Sequence, residues 1–196
     1  MKKVILIIIL LLITGCHSYN EPDKLAIIST IALDYYDNNY HLILEIEESA
    51  NKGEISSYLV KSSAGTIEKA FKKLDSSLSK TLFFTSLDIL IITPEIACNH
   101  LKEISYFLIN EERFNFNFYI AATDNPEVII DMANTKDQIF GSNTKQIFDK
   151  KDYQFKKTDM ISFLNNYLDS NIITLPKINW EEDRIIINEE LILRRM

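Results

Sequence analysis

The chain is poor in the residues that most chemistry needs: four glycines, three histidines and two cysteines in 196 residues. So few glycines, none in a clustered motif, leave no phosphate-cradling loop, and no nucleophile elbow is present. The histidines, His17, His41 and His100, fall in separate predicted elements, so no two share metal-ligand spacing. If Cys16 is acylated, Cys98 is the last thiol and an intramolecular disulfide is excluded. Positive charge is also short, with 21 Lys and Arg against 28 Asp and Glu and no basic tract. That balance argues against nucleic acid and against anionic lipid head groups as partners. Long apolar runs are missing too, except at the N-terminus, where Val4 to Gly15 falls short of the roughly 20 residues that cross a bilayer.

What that N-terminus does contain is informative. Lys2 and Lys3 precede the apolar run, and Ile13-Thr14-Gly15-Cys16 follows it. A charged start, an apolar stretch and small residues before the cut form a secretory signal, and the cysteine just beyond can carry a diacylglyceryl thioether. Residues 1–15 are therefore expected to be removed, with Cys16 as the lipidation site. Two acyl chains hold a protein stably on a membrane where one does not. Loss of Lys2 and Lys3 takes the net charge from −7 to −9, so the lipid must do the membrane binding unaided. The expected location is the outer face of a membrane.

Residues 16–24 read as a tether, 25–176 as the folded domain, and 177–196 as the start of a missing or degenerate C-terminal region. Leu25 to Asp34 is apolar on both sides of its pleat and predicts a buried strand. Asp37-Asn38-Asn39 predicts a turn, and Tyr40 to Glu48 alternates as a half-buried strand, giving an antiparallel hairpin. Ser56 to Ser62 is a third strand. Thr66 caps a helix that buries Ile67, Ala70, Phe71, Leu74 and Leu78. Asp88 to Thr93 is a central strand, and Thr93-Pro94-Glu95 starts one helix burying Ile96, Ala97, Leu101, Ile104, Phe107 and Leu108. Asn115 to Ala122 predicts an exposed strand, Asp124-Asn125-Pro126 a short helix, Gly141-Ser142-Asn143 a break, and Thr158 the cap of a helix burying Ile161, Leu164, Tyr167 and Leu168. Alternating strands and helices imply crossovers. The fold class is α+β: a mixed β-sheet, with an N-terminal antiparallel hairpin and a parallel βαβ part, flanked by helices.

Little of this looks catalytic. The acid pairs Glu47-Glu48, Glu111-Glu112, Glu181-Glu182 and Glu189-Glu190 diverge in direction and read as solvated faces. Asp34 reads as a turn acceptor, Cys98 as a small buried residue, and Phe83, Phe84, Phe114, Phe116 and Phe118 as core. No catalytic, metal or cofactor residue is assigned, and no enzymatic activity is expected. A binding or scaffolding role fits best, with a solute-binding lipoprotein of a membrane transporter as the alternative.

Several stretches together resemble one family. Gly15-Cys16, Glu21, Leu25-Ala26-Ile27 and Ile31-Ala32-Leu33-Asp34 resemble the opening of the Ger(x)C spore germination lipoproteins, the C subunits of nutrient germinant receptors. Ser62-Ser63-Ala64-Gly65-Thr66-Ile67 with Ala70, Leu78-Ser79-Lys80 to Phe83, and Ile89-Leu90-Ile91-Ile92 with Glu95-Ile96-Ala97 are similar to its run of a switch into a helix, a serine-basic pair and an apolar strand before a helix, and Phe163-Leu164 with Leu175-Pro176 resembles the segment that precedes its middle domain. The resemblance covers residues 16 to 178, the N-terminal part of a member. The chain departs from the pattern where His17-Ser18 replace a tryptophan-aspartate pair, Ala32 a glycine, and Ser86-Leu87-Asp88 a histidine-containing run; a large C-terminal domain is expected to be missing. The resemblance implies a non-enzymatic subunit, lipidated at Cys16, that assembles with a multi-spanning A subunit and a permease-like B subunit.

Overall fold

The computed structural model describes residues 24–49, 55–169 and 172–194. Cys16, the signal segment and the tether as far as Asp23 lie outside them.

β1 (Leu25–Tyr36) is the hub of a mixed eight-stranded sheet, because a strand apolar on both faces is stable only with cover on both. It pairs antiparallel with β2 (Asn39–Ser49) through the two-residue turn Asp37-Asn38. Both turn residues have positive φ, 50° and 57°, the left-handed geometry that matches strand twist and that Asp and Asn tolerate. β3 (Ile55–Ala64) continues the antiparallel side. On its other side β1 meets β4 (Thr81–Phe83) at its start and β5 (Ile89–Ile92) further along, both parallel. β6 (Tyr119–Ala122) and β7 (Ile172–Glu181) extend the parallel part. β8 (Arg184–Arg194) closes it as a second antiparallel hairpin, again through an acidic left-handed turn, Glu182-Asp183. The order is β3-β2-β1-β5-β6-β7-β8, so the α+β mixed sheet of the sequence stands.

Helices cover both faces. α1 (Ile67–Ser77), α2 (Pro94–Asn99), α3 (Leu101–Asn110) and α6 (Met160–Asp169) lie on one, around Ile31, Leu33, Leu42, Leu44 and Ile46. α4 (Pro126–Asn134) and α5 (Phe140–Asp149) lie on the other, packing Ile129, Ile130, Phe140 and Phe148 against Ala32, Ile43, Ile89, Ile91 and Ala121. Thr66 caps α1 as expected, its hydroxyl accepting from Lys69 N at 3.3 Å.

The structure corrects the sequence reading in several places. β2 is buried on both faces rather than half-buried, because α4 and α5 cover the side that carries Ile43 and Glu45. β6 is shorter than expected and interior, paired on both edges. The helix from Pro94 breaks at His100 (φ −126°, ψ 23°), whose ring turns inward onto Tyr35. Cys98 is exposed: Ile96 and Ala97 set the buried side of α2, and each further residue rotates the helix by about 100°. Gly141-Ser142-Asn143 is the first turn of α5, not a break. Asp159 holds the start of α6, accepting from Ser162 N at 2.7 Å, while Thr158 Oγ1 donates to Thr174 O. Met160, Phe163, Leu164 and Tyr167 form the inner face of α6 at i, i+3, i+4, i+7 spacing, which leaves Ile161 and Leu168 exposed. Ordered structure also continues past Pro176 into β7 and β8.

Candidate functional site

Two places concentrate polar chemistry. The first is Glu45, in the middle of β2, fully buried. A β-bulge in β1 shifts the register between Ile28 and Thr30, so both neighbouring hydroxyls reach one carboxylate. Ser29 Oγ and Thr30 Oγ1 donate to Glu45 Oε2 at 2.8 and 2.6 Å. Ser57 Oγ donates to Oε1 at 2.9 Å. From the other side, the first turn of α5 contributes Phe140 N to Oε1 at 2.8 Å and Gly141 N to Oε2 at 3.0 Å. Ile139 offers α5 no side-chain cap, so a carboxylate from a strand far away in sequence satisfies its orphan N–H groups and its positive end. A Cβ on Gly141 would sit 2.6 Å from Ser29 O and 2.7 Å from Thr30 Oγ1. Only glycine fits there.

Two further carboxylates flank this node. Ser142 Oγ lies 3.1 Å from Asp88 Oδ2 and 3.4 Å from Glu47 Oε1, and Lys145 Nζ is 3.8 Å from Asp88 Oδ1. Burial foremost, then the charges of Asp88 and Glu45, pushes Glu47 above the ordinary carboxylate range. Burial also raises Asp88, against the lowering effects of Ser142 and Lys145. Among the described residues no group of histidine, cysteine and carboxylate side chains is placed to hold a metal. The node is a joint: it ties the crossover from β6 to β7 onto the N-terminal hairpin.

The second place is a cleft of about 660 Å³ on the opposite side of the sheet, between α1, α3 and α6. Tyr35 and Tyr40 are cross-strand partners on either side of the first hairpin turn, with ring centroids 4.9 Å apart. The His100 ring packs on Tyr35 at 3.8 Å, with Nδ1 2.9 Å from Tyr40 Oη. Burial, then Glu103, Tyr35 and Glu68, pushes the Tyr40 hydroxyl up to about 12.

The remaining singled-out residues do not converge. His41 stacks on Tyr36 with ring centroids 3.5 Å apart. Asp34 Oδ1 accepts from Tyr35 N at 2.7 Å and Thr93 Oγ1 at 2.8 Å, joining the end of β1 to the start of α2 rather than stabilising the hairpin turn. Phe84, Phe114 and Phe118 are core as expected, Phe83 is half-buried, and Phe116 is exposed. Sequence reasoning missed Glu45. Its only local signals are Ser29 and Thr30 inside an apolar strand and a glycine following Ile139-Phe140.

A mixed sheet with helices on both faces defines an α+β domain with two polar sites. The family model described as the spore germination protein N-terminal domain matches residues 18–179, and the chain belongs to that family. The match ends within β7, and it gives the chain a role in spore germination as the N-terminal part of a Ger(x)C-type protein. No curated protein and no solved structure matches the chain.

Proposed function

We propose that the chain is a lipid-anchored accessory subunit of a spore nutrient germinant receptor, held by Cys16 on the outer face of the cell or spore inner membrane. The observation that carries this reading is the family match over 18–179, beginning just after Ile13-Thr14-Gly15-Cys16. The subunit is a non-catalytic scaffold, and its partners are the receptor's multi-spanning A subunit and permease-like B subunit. Among the described residues no helix is long and apolar enough to cross a membrane; the proposed attachment is the lipid on Cys16. One continuous sheet joins the described strands, which supports an accessory role over a transporter's solute-binding lipoprotein, whose ligand sits between two lobes. Mild-detergent extraction of the full chain from native spore membranes tests the assembly. Recovery together with two multi-spanning proteins is expected; recovery of the chain with neither contradicts the reading.

A further inference from the structure

The cleft between α1, α3 and α6 is aromatic and apolar within and acidic at its mouth. Tyr35 and Tyr40 form one wall with His100, and Tyr106, Ile109 and Tyr167 add aromatic and aliphatic surface. Its volume lies in the range of small-molecule pockets. On the charged side, Glu68 from the first turn of α1 and Glu103 from the first turn of α3 face it, against the single cation Lys102. Both carboxylates act on the Tyr40 hydroxyl in the same sense, so the negative potential reaches the wall. Tyrosine faces are themselves electron-rich and attract cations within about 6 Å.

One further group lacks a partner. Ser105 lines the cleft, is 1% exposed, and its Oγ has no hydrogen-bond partner in the described structure. Its oxygen is sealed within the structure, so Ser105 marks the base of the cleft rather than a ligand contact. The His100 helix break serves the same cleft, because it carries the ring inward onto Tyr35 and restarts α3 with Lys102, Glu103 and Ser105 in its first turn and a half.

We propose that this cleft binds a small organic cation with an apolar body, an ammonium compound whose charge meets Glu68, Glu103 and the tyrosine faces while its body fills the space lined by Ile67 and Ile109. Anions and neutral analogues of the same shape bind less well. The proposal is independent of membrane attachment, so it can fail while the receptor reading stands, and the reverse.

The test is a titration of the full-length chain in neutral detergent, followed by NMR of isotope-labelled tyrosine rings. Benzyltrimethylammonium is the probe, with benzyl alcohol and phenylacetate as the uncharged and anionic counterparts. Saturable shifts at Tyr35 and Tyr40 are expected for the cation, with binding about tenfold weaker for the other two. Glu68→Gln combined with Glu103→Gln, both on exposed positions that leave the fold intact, is expected to weaken the cation several-fold, and Ser105→Met to block it by filling the floor. Glu112→Gln, outside the cleft, is the control and should change nothing. Absence of saturation, equal affinity for benzyl alcohol, or indifference to the double Gln variant would overturn the proposal.

Discussion

The two faces of the sheet are built on different physics. Under α1, α2, α3 and α6 the core is apolar, with Phe71, Phe84, Phe107, Phe114 and Phe118 in ring contact at 4.8 to 6.5 Å. Such packing is non-directional and spread over many side chains. Under α4 and α5, an apolar shell surrounds one carboxylate that collects five donors. There the joint depends on direction, and much of it on a single residue. The comparison teaches that one face spreads its cohesion over many apolar contacts while the other concentrates directional bonds on one residue.

The largest expected effect comes from breaking the directional side. Glu45→Leu removes the acceptor of the Thr30 hydroxyl and of the Phe140 and Gly141 N–H groups outright, while Ser29 Oγ keeps the residue-45 carbonyl at 3.4 Å and Ser57 Oγ the Asn134 amide at 2.8 Å, and a loss of about 5 kcal/mol or more is expected in urea unfolding. A loss below about 2 kcal/mol would erase the contrast between the faces. Next, Phe118→Ala on the apolar face removes a fully buried ring and should lower stability by roughly 3–5 kcal/mol, with cooperative unfolding retained. Gly141→Ala should lose about 1–3 kcal/mol by forcing α5 off the β1 backbone, whereas Gly65→Ala meets nothing within 4 Å and escapes that steric penalty. Thermal melts of the two alanine variants side by side give that difference directly.

The smallest effect is a pH dependence of opposite sign on the two faces. Asp88 and Glu47 have raised values in the folded protein, above 3.8 and 4.5, so the folded state holds their protons more tightly. Their contribution is fully present below those ordinary values and is lost as pH rises through the raised ones. Glu111, held low first by its hydrogen bond from Arg113, contributes above 4.5, and that contribution is lost as pH falls through its lowered value. Asp88→Asn should therefore gain relative to the native chain as pH rises, and Glu111→Gln should lose at neutral pH and converge in acid. Unfolding midpoints from about pH 3 to about pH 8 separate the two slopes; parallel slopes would show that the faces do not differ electrostatically.

What the sequence makes legible is what neighbours in sequence decide. Asp37-Asn38 marks its turn, Thr66 its cap, and Pro94 and Pro126 their helix starts, because each acts within three or four residues. Glu45 looks like the solvated side of an alternating strand, since its partners lie 16 residues before it and 95 after it. Gly141 reads as a break for the same reason: the Ser29 carbonyl that forbids a side chain there is distant in sequence. His100 and Cys98 turn on helix phase, which the inward stacking of one imidazole on Tyr35 settles and no local pattern encodes. The cleft is legible only as scattered tyrosines, because three helices and a hairpin assemble it.

In the proposed receptor the domain acts as a scaffold, and its proposed attachment rests on Cys16, outside the described residues. The direct test is membrane fractionation of the native chain beside Cys16→Ala, with intact mass measured for each. The account predicts a native chain lacking residues 1–15, carrying a diacylglyceryl group on Cys16 and sedimenting with membranes, and a variant released from them. An unacylated native chain, or a Cys16→Ala chain held as firmly, would contradict it.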